Sequence, residues 1–284
     1  MNLLAISSSQ STQSSVSSGL VNHFVETYSA LSGSGTVVRN DIGETPPPHV
    51  DGVFNQAIFT PPDQLSTDQK QSLVQSDQYI AELQAADVIV IGAPMHNFSI
   101  SSPLKTWIDH VVRAGQTFSY GENGPQGLLS DKKVFVLTAR GGDYSEGGFM
   151  HAMDHQEPYL RFVLGFIGLD DVTFVHAQGL AMGDEAREQA ISKAQTDIES
   201  HVAALSPEST SVAAGRKQGM LEIEKIDHVG IRVSDRDDAL GFYELLGFKL
   251  MADGGFDHGH PLILQHPGGV VLNLLGQVSA KAGE

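Results

Sequence analysis

The sequence predicts an α/β protein with a doubly wound parallel sheet, followed by a smaller module. Two observations carry this prediction. Short runs of β-branched and other apolar residues alternate with longer segments whose apolar residues recur every three or four positions, as expected for buried parallel strands alternating with amphipathic helices. Near residue 206 the periodicity stops, and a stretch rich in Ser, Pro, Ala and Gly precedes a second patterned region.

The first predicted unit is a strand, a serine-rich loop and a helix. Residues 3–6 are an apolar run, residues 7–18 are rich in serine, and residues 20–28 have apolar positions at helical spacing. A second strand is predicted over residues 36–40. The three prolines at 46–48 exclude a helix interior directly after it.

Two further helices have predictable starting points. Ser66 and Gln69 have the spacing of a capping box, which predicts a helix beginning there. Ser102 followed by Pro103 predicts an N-cap and a first helical position. Between these helices, residues 87–94 are apolar on both faces and predict a central strand. The remaining elements are predicted as a strand at 133–138, a helix at 159–167, a strand at 172–176 and a helix at 190–205.

These alternating elements make five strand–helix units, which match the flavodoxin-like doubly wound fold. In such sheets ligands bind beyond the carboxyl ends of the strands, where the strand order reverses. We predict that this domain spans residues 1–205, with a linker at 206–219.

A small βαβββ module is predicted over residues 220–284. Residues 227–233 alternate as a strand, and residues 235–246 are predicted as a helix ahead of Gly247. Residues 261–265 and 270–275 are predicted as strands.

Composition excludes several classes of function. The formal net charge of −17 argues against general nucleic-acid binding, which needs Lys and Arg for the phosphates. The absence of cysteine excludes disulfides, thiolate metal sites and cysteine nucleophiles. No apolar run has the length of a membrane helix, and the N-terminus lacks the pattern of a signal peptide. A cytoplasmic protein is the expectation.

Three loops at predicted strand ends carry the candidate chemistry. The serines of residues 7–18 precede a helix, where hydroxyls and backbone N–H groups form an anion site; the alternative is a flexible serine linker. Residues 94–98 place a thioether, an imidazole, a carboxamide and an aromatic ring after the central strand. Residues 138–142 contain paired glycines, which let the backbone approach a ligand. Each of the last two loops alone is an ordinary turn, but together the three indicate a site.

Residues 1 to about 205 resemble the FMN-dependent NADH-azoreductases, a branch of the flavodoxin-like quinone reductases. The resemblance lies in stretches that are long, specific and nearly collinear with that family. They are Ala93 to Phe98, Ala114-Gly115, Glu122 to Pro125, Arg140 to Gly142, and Leu164 to Gly168.

The resemblance implies an FMN site. It implies that hydroxyls of the first loop bind the cofactor and that two later segments surround the flavin ring. The cofactor-binding residues implied are Ser9, Ser15, Val16, Ser17, Met95, His96, Asn97, Phe98, Ala139, Arg140, Gly141 and Gly142.

Four positions depart from the family pattern. The family usually has Tyr at the position of His96 and often Ser or Thr at that of Ala139. An aromatic residue supplied by the partner subunit corresponds to Val163, and an Arg near the nicotinamide corresponds to Phe59. A His beside the ring can alter acceptor preference or the pH profile.

The resemblance implies a homodimer and ping-pong transfer of hydride from NADH or NADPH, through FMN, to a quinone or azo compound. The cofactor carries the chemistry, so no catalytic side chain is assigned. Phe98 and Tyr120 are the candidate surfaces for stacking and substrate binding, with core packing as the alternative, especially for Phe98.

Two other functions remain open from the sequence. A flavodoxin-type electron carrier would have no substrate of its own, and the long aromatic insertion over residues 117–129 argues against it.

The region from about residue 220 resembles a half-module of the glyoxalase/vicinal-oxygen-chelate superfamily, which implies a metal ligand at His228. Its carboxylate ligand corresponds to Asn273, a poor ligand, and a working site needs a second module, which two tails of a dimer can supply. His258, His260 and His266 are expected to be polar surface, and we expect a structural or vestigial tail.

Overall fold

Five parallel strands form the sheet of the first unit, in the order β2-β1-β3-β6-β7. The computed structural model describes residues 1–11, 15–31, 34–121, 124–206, 229–233, 235–253, 262–265 and 271–276. The elements of the first unit are β1 (Leu3–Ser7), α1 (Val16–Ser29), β2 (Val37–Asp41), α2 (Gly52–Ala57), α3 (Thr67–Ala85), β3 (Val88–Pro94), α4 (Ser102–Val111), β4 (Phe118–Gly121), β5 (Gly124–Gly127), β6 (Lys133–Ala139), α5 (Gln156–Phe166), β7 (Asp171–Ala177) and α6 (Asp184–Ala203), with short 3-10 turns at Pro62–Gln64 and His151–Met153.

Both faces of this sheet are covered, which explains why its central strands have no polar alternation. In β3, Val88 and Val90 pack with α1 and α6, whereas Ile89 and Ile91 pack with α3, α4 and α5. The side chains of β3 from Val88 to Ala93 are therefore buried on both sides. The predicted doubly wound flavodoxin-like sheet is confirmed, and the strand order reverses beside β1.

The helix starts confirm one predicted cap and correct another. Ser66 and Gln69 form the full reciprocal capping box of α3. Helix α4 begins at Ser102, so the prediction of Ser102 as its N-cap was wrong by one residue: the N-cap is Ser101. Ser101 makes no side-chain cap bond, because its Oγ donates to Ser8 O at 2.9 Å.

Two elements were not anticipated from the sequence. The short helix α2 begins after Asp51, whose side chain accepts from Phe54 N. Within the aromatic insertion over residues 117–129, β4 and β5 pair as an antiparallel hairpin.

The second unit contains a four-stranded sheet in the order β8-β11-β10-β9. Its elements are β8 (Val229–Val233), α7 (Arg236–Leu245), β9 (Lys249–Asp253), β10 (Leu262–Gln265) and β11 (Val271–Gly276). Strand β8 is parallel to β11 and the other pairs are antiparallel, in line with the predicted βαβββ order. Four leucines of β10 and β11 form its core under Leu240 and Tyr243 of α7.

The chain divides between Ala214 and Gly215. This division falls inside the predicted linker 206–219, of which residues 207–219 lie outside the described part, and the limits at 205 and 220 remain predictions. Among the residues that the structure describes, none of the helices has the length and apolarity needed to cross a membrane. The cytoplasmic location also remains a prediction.

Candidate functional site

Three loops meet at the carboxyl edge of the central sheet because the strands before them are neighbours. Ser7 at the end of β1 pairs with Gly92 of β3, and Pro94 at the end of β3 pairs with Ala139 of β6. Met95 N then donates to Ala139 O at 2.9 Å, which continues the pairing into the loops. The three segments predicted to carry the chemistry are therefore brought together.

The serine loop ends in a capped helix. Ser15 is the N-cap of α1, and its Oγ accepts from Ser18 N at 3.1 Å and lies 3.2 Å from Ser17 Oγ. Ser9 and Ser17 are both buried. Val16 N and Ser17 N open the helix and have no intrahelical acceptor, so they add partial positive charge beside these hydroxyls. Residues 12–14 lie outside the described part.

Ser8 fixes the base of the same loop and was not singled out from the sequence. It is fully buried, and its Oγ donates to Gly92 O at 2.7 Å. Its own carbonyl accepts from Ser101 Oγ, so the residue joins β1, β3 and the start of α4. Nothing in a run of serines distinguishes this one, because its partners lie more than eighty residues away.

The loop after β3 is a tight turn from His96 to Ser99. His96 N donates to Ser99 O and Ser99 N donates to His96 O, at 2.9 and 3.0 Å. Asn97 and Phe98 have φ angles of 46° and 69°, the positive pair typical of a type I′ turn. Phe98 is 45% exposed, so the alternative of core packing was wrong for this residue.

The glycine-containing loop after β6 is paired on its other side with the segment after β7. Gly179 N donates to Gly142 O, Leu180 N to Arg140 O, and Ala181 N to Gly141 O, all near 3 Å. A Cβ on Gly142 would lie 2.7 Å from Met150 Sδ. The closest atoms belong to the movable end of the Met150 side chain, so packing alone does not require glycine at position 142, and a Cβ on Gly141 would meet only an ordinary contact.

The side chain of Arg140 is turned to the interior. It is 2% exposed, with Nη1 at 3.0 Å from Asp154 Oδ2 and Nη2 at 3.8 Å from Glu157 Oε2. Nη2 has no hydrogen-bond partner among the described residues. Burial lowers the pKa of Arg140, and the charges of Asp154 and Glu157 partly offset this effect. Its guanidinium is engaged in an internal cluster, its N–H donates to Ala177 O at 2.8 Å and its C=O accepts from Leu180 N, so the residue is tied to the protein on every side.

Glu157 links helix α5 to strand β7. Its Oε2 lies 3.1 Å from His176 Nε2, and its Oε1 accepts from Arg161 Nη2 at 2.6 Å. These contacts, that of His176 first, lower the pKa of Glu157 to about 2 despite partial burial. His176 Nδ1 lies 2.8 Å from Thr138 Oγ1 of β6. The cluster thereby joins α5 to β7 and to the end of β6, where the glycine loop begins.

Two open spaces border these loops. A cleft of about 510 Å³ is lined by His96 and Asn97 together with Lys105 of α4. A second of about 750 Å³ is lined by Arg140, Tyr144 and other residues of the internal cluster. The exposed imidazole of His96 therefore faces space beside the turn.

A row of aromatic rings runs from the β4–β5 hairpin to helix α5. The ring of Phe118 lies edge-on to Tyr120 at 5.5 Å and tilted against Phe166 at 4.7 Å, and Phe162 stacks on Phe166 at 6.3 Å. Tyr120 and Phe162, at the ends of the row, are 76% and 73% exposed. The row presents apolar surface at both ends.

The remaining candidate positions are not gathered at the three loops. Val163 is partly buried against the core, and Phe59 is 81% exposed. The candidate ligand His228 and the histidines 258, 260 and 266 lie outside the described residues, as do residues 122 and 123 of the family motif. Among the described residues, no group of three His, Asp or Glu side chains is arranged to hold a metal ion.

The chain is similar over about two thirds of its length to FMN-dependent NADH:quinone oxidoreductases. It is 48% identical over 196 residues to an FMN-dependent NADH:quinone oxidoreductase of Herminiimonas arsenicoxydans, a match covering 69% of this chain and 96% of that protein. It is 47% identical over 193 residues to FMN-dependent NADH:quinone oxidoreductase 3 of Pseudomonas aeruginosa, covering 68% of this chain and 89% of that protein.

Solved structures give the same result. The chain is similar to an azoreductase of Bacillus anthracis strain Sterne, with a TM-score of 0.66 and 28% identity over 71% of this chain and 98% of that one. It is also similar to an FMN-dependent NADH-azoreductase of Bacillus anthracis strain Ames Ancestor solved in complex with FMN, with a TM-score of 0.66 and 27% identity over 72% and 99%. Because residues 1–202 match the family model described as flavodoxin-like fold, this chain belongs to the flavodoxin-like family, as its relatives among the quinone reductases indicate.

Proposed function

We propose that this chain is an FMN-dependent oxidoreductase that transfers hydride from NADH, through FMN, to quinones and azo compounds. The observation that carries this function is the meeting of the serine loop, the His96–Ser99 turn and the glycine loop at one sheet edge. It occurs in a chain whose first unit aligns with FMN-dependent NADH:quinone oxidoreductases over nearly their whole length.

The residues of the serine loop fit a cofactor monophosphate. A chain with a net charge of −17 must hold an anion by local donors. We expect the hydroxyls of Ser9, Ser15 and Ser17 and the N–H groups of Val16 and Ser17 to form such a set, because Ser15 to Ser17 lie at the start of α1 and Ser9 is buried in the loop before it. This set, taken from the described residues of the loop, contains no lysine or arginine, so the helix end and the hydroxyls would carry the binding.

The turn and the glycine loop fit a flat ring. When bound, FMN supplies hydride acceptance from the nicotinamide and electron transfer to the acceptor. Met95, His96, Asn97 and Phe98 would surround it. Met95 N, His96 N and Phe98 O are hydrogen-bonded within the protein, so the remaining backbone groups of the turn would contact the ring. Ala139, Gly141 and Gly142 would border the ring at the end of β6 and in the loop after it. Arg140 would keep this loop in shape, because its N–H, C=O and guanidinium are all bound within the protein.

Two exposed rings would line the space for the nicotinamide and the acceptor. Phe98 is 45% exposed and belongs to the turn itself, and Tyr120 projects from the hairpin. Planar substrates stack on such surfaces without a specific hydrogen-bond pattern, which suits quinones and azo compounds alike. NADPH is the alternative donor.

We further propose that the protein works as a homodimer. The support is the row of aromatic rings, whose ends Tyr120 and Phe162 expose apolar surface on the first unit. Exposed contiguous apolar surface is typical of an interface or a substrate site. Light scattering of the purified protein measures the mass, and a monomer at micromolar concentration would overturn the dimer.

The test of the function is spectroscopic and kinetic. We expect a yellow protein that releases FMN on denaturation and oxidises NADH with menadione or methyl red as acceptor. Comparison of NADH with NADPH over a panel of quinones and azo dyes gives the preferences. A colourless protein that gains no flavin absorbance on addition of FMN would contradict the proposal. Flavin binding without turnover of any acceptor would favour the electron carrier.

A further inference from the structure

One buried side chain connects the two loops assigned to the flavin ring. Gln156, the first residue of α5, has no exposed surface. Its Nε2 donates to Ala93 O at 3.1 Å, and its Oε1 accepts from Arg140 Nε at 3.0 Å. Ala93 lies two residues before Met95, and Arg140 lies inside the glycine loop. The carboxamide therefore links the end of β3 to the loop after β6 through two buried hydrogen bonds.

The neighbours of Gln156 strengthen this connection. Asp154 Oδ1 accepts from Gln156 N and Glu157 N at 2.8 and 3.1 Å, which fixes the first turn of α5. The other oxygen of Asp154 pairs with Arg140. His155 N donates to Phe98 O at 3.0 Å. Residues 154–157 thus contact the turn, the end of β3 and the glycine loop at once.

The chemistry of the carboxamide explains why this residue is suited to the position. It donates at one atom and accepts at the other, as the carbonyl of Ala93 and the guanidinium of Arg140 require. A carboxylate of the same shape could only accept at both oxygens, and one of them would be repelled by the carbonyl oxygen of Ala93. A thioether would satisfy neither partner, leaving two buried polar groups unpaired.

We propose that Gln156 is a positioning residue, which sets the relative placement of the Met95–Phe98 and Ala139–Gly142 segments and thereby the surroundings of the flavin ring. It acts through Ala93 and Arg140 rather than by contact with the cofactor. This inference rests on the proposed function, because it concerns how the same site is held in shape.

The experiment compares Gln156→Met and Gln156→Glu with the wild-type protein. The readouts are the Kd of the apoprotein for FMN, from quenching of flavin fluorescence, and the visible absorption spectrum of the bound flavin. We expect about a tenfold weaker Kd for Gln156→Met, because two buried hydrogen bonds are lost. Gln156→Glu keeps the acceptor for Arg140 and should fall between Gln156→Met and the wild type. Both spectra should shift from that of the wild type.

Ser76→Ala provides the matched control. Ser76 is fully buried, donates to His110 O and accepts from Arg113 Nη1 at 2.8 Å, in a network that reaches neither loop. Loss of the Ser76 hydroxyl should lower the melting temperature of the protein while leaving the Kd for FMN and the flavin spectrum unchanged.

The outcomes separate the inference from the function. A Gln156→Met protein that is less stable, like Ser76→Ala, but binds FMN with wild-type Kd and spectrum would overturn the positioning role. If Gln156→Met does not fold, Gln156→Glu decides by the same readouts, and failure of both to fold would make the role purely structural. Failure of the wild-type protein to bind FMN would instead overturn the proposed function.

Discussion

Backbone strain at Phe98 is the most localised feature of the site. A non-glycine residue with a left-handed φ costs about 1–2 kcal/mol, and Asn tolerates it better than an aromatic residue. Phe98 adopts a φ of 69° beside Asn97 at 46°. The cross-turn bonds of His96 and Ser99, and the bond from His155 N to Phe98 O, hold it there. Such strain is typical of positions where function requires a particular side chain.

Replacing Phe98 tests whether the strain serves the flavin site. Phe98→Gly gives the turn the Asn-Gly sequence that type I′ turns favour. Because the ring is 45% exposed, we expect an unchanged or slightly raised melting temperature in the apoprotein. FMN affinity and turnover with menadione should fall, since a stacking surface is lost. Thermal unfolding and FMN titration measure the two effects.

Asp131→Gly is the control for Phe98→Gly. Asp131 also has a left-handed φ, of 60°, but lies before β6 at the opposite edge of the sheet from the turn. The Asp131→Gly substitution should relieve backbone strain without changing the Kd for FMN. A parallel loss of FMN affinity in both variants would show that the Phe98 result reflects glycine rather than the missing ring.

The attachment of α5 to β7 predicts an acid-sensitive element. Contacts with His176 and Arg161 lower the pKa of Glu157 to about 2 from an ordinary 4.5. A depressed carboxylate pKa stabilises the folded state above about pH 4.5, and this contribution is lost as the pH falls towards 2. Glu157→Gln should therefore lower the free energy of unfolding by about 1–2 kcal/mol at pH 7, and by less at pH 3.

Urea denaturation at several pH values measures this difference. Asp197→Asn removes an exposed pair with Lys193 on α6 and should change stability little at any pH. A Glu157→Gln deficit that stays constant from pH 7 to pH 3 would mean that packing, and not the charge of Glu157, carries the effect.

Local patterns predicted most of the elements and failed where distant partners decide. The capping box of Ser66 and Gln69 is contained in four residues, and the burial of β3 follows from its own composition. The N-cap of α4 is Ser101, whose side chain donates to Ser8, ninety-three residues away, a contact that local spacing does not reveal. The hairpin β4–β5 was hidden by its short strands, which contain several glycines.

The same distinction holds for the candidate site. The serine, Met95–Phe98 and glycine loops were predictable because each follows an apolar strand. Gln156 was not, because its role depends on Ala93, sixty-three residues earlier, and on Arg140. Arg140 itself was assigned to the cofactor as part of a motif, whereas its side chain pairs with Asp154. Sequence spacing cannot reveal which side of a loop a side chain occupies.

At the scale of the whole molecule, the chain combines two units with separate cores. The core of the first unit is formed by residues of β1 to α6, and that of the second by the leucines of β10 and β11 with α7. The quinone reductase relatives match this chain over 96% and 89% of their own lengths within the first unit alone. The matched lengths of 196 and 193 residues thus correspond in size to the first unit.

Shortening the chain tests this division. A protein ending at Ser206 keeps the last buried residues of the first unit, Val202 within α6 and Leu205 just after it. We expect it to bind FMN and to turn over NADH and menadione with the kcat and KM of the full chain, because all three loops and the core on both faces of the sheet are retained. Steady-state kinetics and thermal unfolding make the comparison.

A protein ending at Ala194 loses Ile198 and Val202 from the core and should not fold. Loss of FMN binding in the Ser206 protein, with its fold intact by circular dichroism, would instead make residues 207–284 part of the flavin site and assign the second unit a direct role in the reaction.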